Sequence, residues 1–182
     1  MSTIENKTPI FPAVKDGETF TIAGIEFIKF PSVDGQTPIV AKNIAFFSSF
    51  GENNDLRQSD MLKRLESECL PKIIDAVGRD NLCTIKTDLT TLDGLKCYST
   101  MESLVSLPTF DFYRANVSIF DQYKPAEWWW LATPESAHPH DAPDWVTCVS
   151  PSGFINFSHY YYGRGVRPFY ILYSSIFGSS EE

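Results

Sequence analysis

The chain has 182 residues, with Lys+Arg 15 against Asp+Glu 23 and a formal net charge of −8. That length makes one domain of ordinary size, able to bury a core without disulfides or metal, and 43% apolar with 21% charged residues excludes global disorder. The negative balance excludes a nonspecific nucleic-acid binder, which needs the opposite sign. No run of about 18 apolar residues is present to span a bilayer.

Residues 1–17 are polar with two prolines and read as an N-terminal arm. Thr19–Ile22 and Ile25–Phe30 alternate in polarity around Ala23-Gly24, which predicts a tight hairpin. Ile39–Phe47 is rich in β-formers and predicts a third strand. Ser59 is placed to cap a helix whose apolar stripe is Met61, Leu62, Leu65, Cys69 and Leu70, with Pro71 expected to end or bend it. Leu82–Thr87 reads as a short strand, Leu89–Thr109 carries no clear period, and Phe110–Phe120 is an apolar segment open to helix or irregular structure. Trp128–Leu131, Trp145–Val149, Phe154–Phe157 and Val166–Tyr173 read as strands. They are separated by the loop Ser136–Asp144, the turn Ser150–Gly153 and the Tyr-rich stretch Ser158–Gly165. Short strands at both ends with helices between them make an α+β chain.

Catalytic constellations are not apparent. His138, His140 and His159 are the only histidines, and none lies by a Gly-x-Ser-x-Gly elbow. Gly163-Arg164-Gly165 lacks the Lys-Ser/Thr of a phosphate loop. His138, His140, Asp141 and Asp144 sit in a proline-containing loop, for which a solvated polar surface is the simpler account than a metal site. Cys69, Cys83, Cys97 and Cys148 form no C-x-x-C pair and are expected to be reduced, at least partly buried thiols.

The segment Ser136–Tyr173 contains no Lys, Glu, Gln or Met, although all nine lysines occur at or before Lys124. It holds every histidine and eight Phe and Tyr residues, Tyr160-Tyr161-Tyr162 among them. Tyr, Ser, Asn and Gly on loops are the chemistry of binding surfaces, because Tyr supplies rigid contact area at low entropy cost. Three successive tyrosines cannot all point inward. Trp129, Phe157, Phe169 and Ile171 are expected in the core instead.

Trp129-Trp130-Leu131, then Val149-x-x-x-Gly153, then Gly165-Val166-Arg167-Pro168-Phe169 resembles the C-type-lectin-fold variable proteins of diversity-generating retroelements in phages and bacteria, and their undiversified relatives. The likeness extends loosely over residues 17–173. It departs at Ala132-Thr133, where the family has Arg-Ser, and at Phe169, where it has a small residue. The resemblance implies a C-type lectin-like domain over 18–174 with paired terminal strands, helices in the first half and a small antiparallel sheet in the C-terminal half. Its variable region would span about 136–165, and 175–182 would be a flexible tail. In that family adenine mutagenesis of Asn codons never yields Lys, Glu, Gln, Met or Trp, which fits the compositional gap apart from Trp145.

Carried over by position, the resemblance implies a diversified ligand-binding surface of His138, His140, Asp141, Asp144, Phe154, Asn156, Ser158, His159, Tyr160, Tyr161, Tyr162 and Arg164. Trp129, Trp130, Gly153, Gly165, Arg167 and Pro168 would be scaffold, with Arg167 hydrogen-bonded inside. Ile155 and Phe157 would alternate inward. The calcium-binding Glu-Pro-Asn, Gln-Pro-Asp and Trp-Asn-Asp motifs of sugar-binding relatives are absent. The expectation is therefore a calcium-independent, non-enzymatic module without metal or cofactor, recognising a protein ligand on a target cell surface as a homo-oligomer or virion array. The N-terminal residues lack an apolar signal core, so synthesis in the host cytoplasm followed by placement on a virion (a phage tail) or cell surface is expected. An undiversified structural module of a virion or cell surface is the alternative. A formylglycine-generating-type oxidase is disfavoured, since it needs paired cysteines in its C-terminal part and Cys148 stands alone in Ser136–Tyr173.

Overall fold

In the computed structural model, which describes residues 8–179, β1 (Thr19–Ile22) and β2 (Ile25–Lys29) form the expected hairpin. Ala23 and Gly24 both take positive φ, 51° and 77°, the mirror-image turn that matches strand twist. β3 (Gln36–Ala41) and β4 (Phe46–Ser48) follow. Ser59 caps α1 (Asp60–Arg64): its Oγ accepts from the Leu62 N–H at 3.4 Å and donates to the Phe50 carbonyl. Of the two outcomes expected at Pro71, an end to the helix is not the one found. The turn Leu65–Cys69 widens to π geometry, with the Leu70 N–H donating to the Leu65 carbonyl, and α2 (Leu70–Val77) runs on to Gly78. The wider turn accommodates a residue that has no N–H and would otherwise strike the preceding turn.

Between residues 82 and 109, β5 (Ile85–Asp88) and β6 (Thr100–Ser103) form a two-stranded ribbon. The apolar segment after it is helical: α3 (Phe110–Ala115), capped by Thr109, and α4 (Val117–Phe120). The remaining strands are β7 (Trp129–Pro134), β8 (Trp145–Val149), β9 (Ile155–His159), β10 (Arg164–Val166) and β11 (Phe169–Tyr173).

One sheet has the order β1-β2-β3-β11 and the other β4-β10-β7-β8-β9. Three expectations are corrected here. The closing strand β11 pairs with β3, not with the first strand, because Ile39, Val40 and Ala41 are fully buried and offer it an apolar mate, whereas β1 is a partly exposed edge. The helices are not confined to the first half, since α3 and α4 cover β7. The C-terminal sheet is not purely antiparallel: it recruits β4 from the first half and contains one parallel pairing, β10 on β7.

Trp129 and Trp130 are consecutive on β7, so they point to opposite faces. Trp130 enters a core with Phe27, Phe50, Leu65, Cys148 and Tyr170, and its Nε1–H donates to the Ser48 carbonyl at 2.9 Å. Trp129 enters a second core with Phe30, Tyr113, Phe120, Leu131 and Phe169. Arg167, 0% exposed, closes that core. Its guanidinium lies 4.5 Å from the Trp129 ring centre and donates to the carbonyls of Ala41 (2.9 Å) and Lys42 (3.0 Å), as a buried cation requires. Burial without an ion-pair partner pulls its pKa down to about 9.

The boundaries expected at 17 and 175 do not mark the limits of packing. The Ile10 and Phe11 N–H groups donate to the Ile176 carbonyl, Phe11 bridges Phe177, and Ile176 and Phe177 are buried against Phe20. Apolar residues spaced through both ends clasp each other, so only residues 1–7 and 180–182 of the expected arm and tail lie outside the described residues. Cys83 and Cys148 are buried and Cys69 half-buried, but Cys97 is exposed, in a turn region with no sheet to cover it.

Arg167→Ala leaves two carbonyls unpaired and a void beside Trp129, so it is expected to cost about 3 kcal/mol in urea unfolding. A loss below about 0.5 kcal/mol, ordinary for surface changes, would contradict this account. Gly165→Ala places its new carbon 2.4 Å from Ile44 Cδ1, and overpacking of that kind is expected to cost about 1–3 kcal/mol.

Candidate ligand-binding surface

β8 and β9 form the outer hairpin of the five-stranded sheet, reversed at Ser150–Gly153, where Gly153 takes φ 92° and its carbonyl accepts from the Tyr113 hydroxyl. β9 is the free edge, bonded on one side only. Register places Trp145 opposite His159 and Thr147 opposite Phe157, so these side chains share one face, while Val146 and Cys148 share the other with Ser158 and Asn156.

This corrects two of the expected positions. Phe157 is 37% exposed and does not enter the core. Its cross-strand neighbour Thr147 turns its hydroxyl to the Thr133 carbonyl, and the second core stops at Ile155, leaving Phe157 beyond the helical cover. Ser158 is 2% exposed and is not on the surface: Arg164 Nε donates to its Oγ at 2.9 Å and Cys148 Sγ lies 3.4 Å away. Asn156 is exposed as expected, and its Oδ1 accepts from the Phe157 N–H, occupying an edge donor.

The remaining aromatic side chains form a continuous ribbon. Phe154 meets Trp128 edge-on at 6.0 Å. The Arg164 guanidinium, half-buried, lies over both Trp128 (5.5 Å) and Tyr162 (5.4 Å). Tyr162 contacts Tyr161 at 4.9 Å, Tyr161 stacks on His159 at 4.0 Å, and His159 meets Trp145 at 5.4 Å. Tyr161 is 58% exposed, and Tyr162, Trp145 and Phe154 are also exposed. Tyr160 differs from its two neighbours: it is half-buried against the larger core, and its N–H donates to the Asp144 carbonyl. His159 is mostly covered, with Nε2 3.8 Å from Asp144 Oδ2 and a sealed Nδ1 that has no partner. Hydrogen bonding with the Tyr162 side chain pushes the Tyr161 phenol upward.

The loop 138–144 borders this ribbon at its Asp144 end, and His138, His140 and Asp141 are exposed. Its other end is tied to Asp93, whose carboxylate accepts from Ser136 Oγ (2.5 Å) and Thr91 Oγ1 (2.5 Å) and meets His140 Nδ1 at 3.0 Å. Those three contacts hold the Asp93 pKa at about 2. Asn54, fully buried, anchors the same loop: its Nδ2 donates to the Ser136 and Trp145 carbonyls, its N–H to the Pro143 carbonyl, and its Oδ1 accepts from Tyr98. Sequence reasoning missed Asn54, Asp93, Trp128 and Trp145 in these roles. The two polar anchors come from distant segments with no distinguishing local motif, whereas both tryptophans are visible in the sequence as single large residues beside the tract.

Among the described residues, no group of three or more His, Cys, Asp or Glu side chains is placed to hold a metal ion. No helix among them is long and apolar enough to cross a membrane. Comparison with family models, with curated proteins and with solved structures finds no match to this chain.

A carboxyl whose folded pKa is depressed stabilises above the ordinary carboxylate range and loses that contribution as pH falls through the folded value. The Asp93 Cβ and Cγ signals in carbon NMR are therefore expected to hold through the mildly acidic range and to shift only as pH approaches about 2. Asp93→Asn should loosen the loop at every pH. Titration of those signals near the usual carboxylate value, about 3.9, would contradict the clamp.

Proposed function

We propose that this chain is a C-type-lectin-like binding module, akin to the variable proteins of diversity-generating retroelements, that recognises a protein on a target cell surface through its aromatic ribbon. The observation that carries this reading is the unbroken contact path Phe154–Trp128–Arg164–Tyr162–Tyr161–His159–Trp145 beside the edge hairpin, exposed at Phe154, Tyr162, Tyr161 and Trp145 and half-buried at Trp128, Arg164 and His159. Exposed contiguous aromatics without a covering element are costly in water and mark interaction surfaces. Rigid aromatic anchors supply most of the energy at protein interfaces, with adaptable polar groups around them. Here His138, His140, Asp141, Asp144 and Asn156 are that polar surround.

The absence of Lys, Glu, Gln and Met from the same segment supports diversification by adenine mutagenesis, and the role as a virion-borne or cell-surface adhesin follows from that origin. The recognition is calcium-independent and non-catalytic in this reading. Ser158 and Arg164 act as internal supports of the surface, and the variable positions are the exposed ones.

A surface-display library randomised at His138, Asp141, Phe154, Asn156, Tyr161 and Tyr162 tests the proposal. Most members are expected to display as folded protein, with stability changes within about 0.5 kcal/mol at each position, and panning against unrelated soluble proteins should yield binders that EDTA does not release. Loss of display comparable to that of Arg167→Ala would make the ribbon structural. Sequencing of the flanking DNA tests the origin separately: a reverse transcriptase gene and an imperfect copy of codons for about 136–165, differing only at adenines, are expected.

A further inference from the structure

A second recess lies away from the ribbon and shares no lining residue with it. It has a volume of about 420 Å³, within the usual range for small-molecule sites. Its floor is apolar, built from Ile25, Phe27, Ala41, Phe46 and Tyr170, where the β1–β2 hairpin meets the connection between β3 and β4. The π-turn and the start of α2 form its wall, with Arg64, Glu68, Cys69 and Lys72, and Glu26, which also lines it, is paired with Lys42 Nζ at 3.1 Å. Single π-turns interrupting a helix recur at functional sites.

Two polar groups without a partner among the described residues line the recess. Tyr170, 1% exposed, has a hydroxyl that makes no hydrogen bond among them, and burial pushes its phenol upward. Lys72 has no carboxylate within salt-bridge distance among the described residues. The neighbouring Arg64 spends its charge on Glu68 at 2.8 Å and on the Phe46 ring at 4.0 Å. An apolar floor, one uncompensated ammonium and one unpaired phenol are complementary to a single negative charge carried on a hydrocarbon body.

We propose that this recess binds a small apolar monocarboxylate, with the carboxylate on Lys72 and the Tyr170 hydroxyl and the hydrocarbon against Ile25, Phe27 and Phe46. The site is independent of the ribbon, and its failure leaves the reading of the ribbon untouched. Cys69 reports on occupancy because it lines the recess.

The test uses decanoate below its micelle concentration, with decanol as the uncharged control, on the full chain carrying Cys97→Ser so that the exposed thiol does not interfere. Decanoate is expected to bind saturably by calorimetry and to slow alkylation of Cys69 by iodoacetamide. Lys72→Met, a solvent-exposed position, should weaken decanoate about ten-fold without lowering the melting temperature, since a charge-assisted contact is worth roughly that factor. Tyr170→Phe should weaken it less. Equal binding of decanol, an unchanged affinity in Lys72→Met, or no saturable heat would each overturn the proposal, and calorimetry decides even where Cys69 alkylates too slowly to follow.

Discussion

Two adjacent tryptophans on one strand cannot share a face, and the architecture follows from that constraint. Trp129 and Trp130 commit β7 to burial on both sides, and every residue of the strand is buried. Each face then needs its own cover. Helices α1 and α2, with Phe50 and Tyr170, supply one. Helices α3 and α4, with Phe30 and Phe169, supply the other. Arg167 sits where β10 passes into β11 and joins the second core to the backbone of residues 41 and 42. Its charge lies on an indole face and on two carbonyls, not on a carboxylate, so its environment is satisfied by dipoles and a π-system.

A strand buried on both faces leaves the edge hairpin free to be otherwise. β9 lies two strands from β7, where the helical cover has ended, and at Asn156 and Phe157 both of its faces meet solvent. The hairpin is held by its turn, by Tyr113 on the Gly153 carbonyl and by the Ser158–Arg164 contact beneath it. The facing loop is held by Asn54 and Asp93. Side chains on such a platform are positioned by backbone bonds made elsewhere, which is the condition for a surface that tolerates substitution without loss of fold.

Much of the framework was legible from local signals. The Ala23-Gly24 turn, the Ser59 cap and β8 each rest on a few neighbouring residues whose preferences agree. The inward place of Arg167 came from the resemblance, and the cost of an unpaired buried cation implied only that it would be hydrogen-bonded there. The missing N–H of Pro71 left open whether the helix ends or bends there, and the π-turn at Leu65–Cys69, which lets it continue, has no local signal. The alternation rule put Phe157 on the face of Ile155, as the register has it, but wrongly in the core, because it assumes that one face of a strand is covered along its whole length. On β9 the cover ends partway.

Composition and short-range pattern determined that the chain is long enough to bury a core, that it mixes helices with short strands, and that its aromatic polar tract is not all interior. These are properties of individual residues and their near neighbours. Which strand closes the sheet, that the termini clasp through Phe11 and Phe177, that Asn54 and Asp93 anchor a loop more than forty residues away, and that Trp128 and Trp145 complete the ribbon were decided only by tertiary structure. Those contacts join segments whose sequences carry no record of each other, and the free energy that selects them resides in the packed whole.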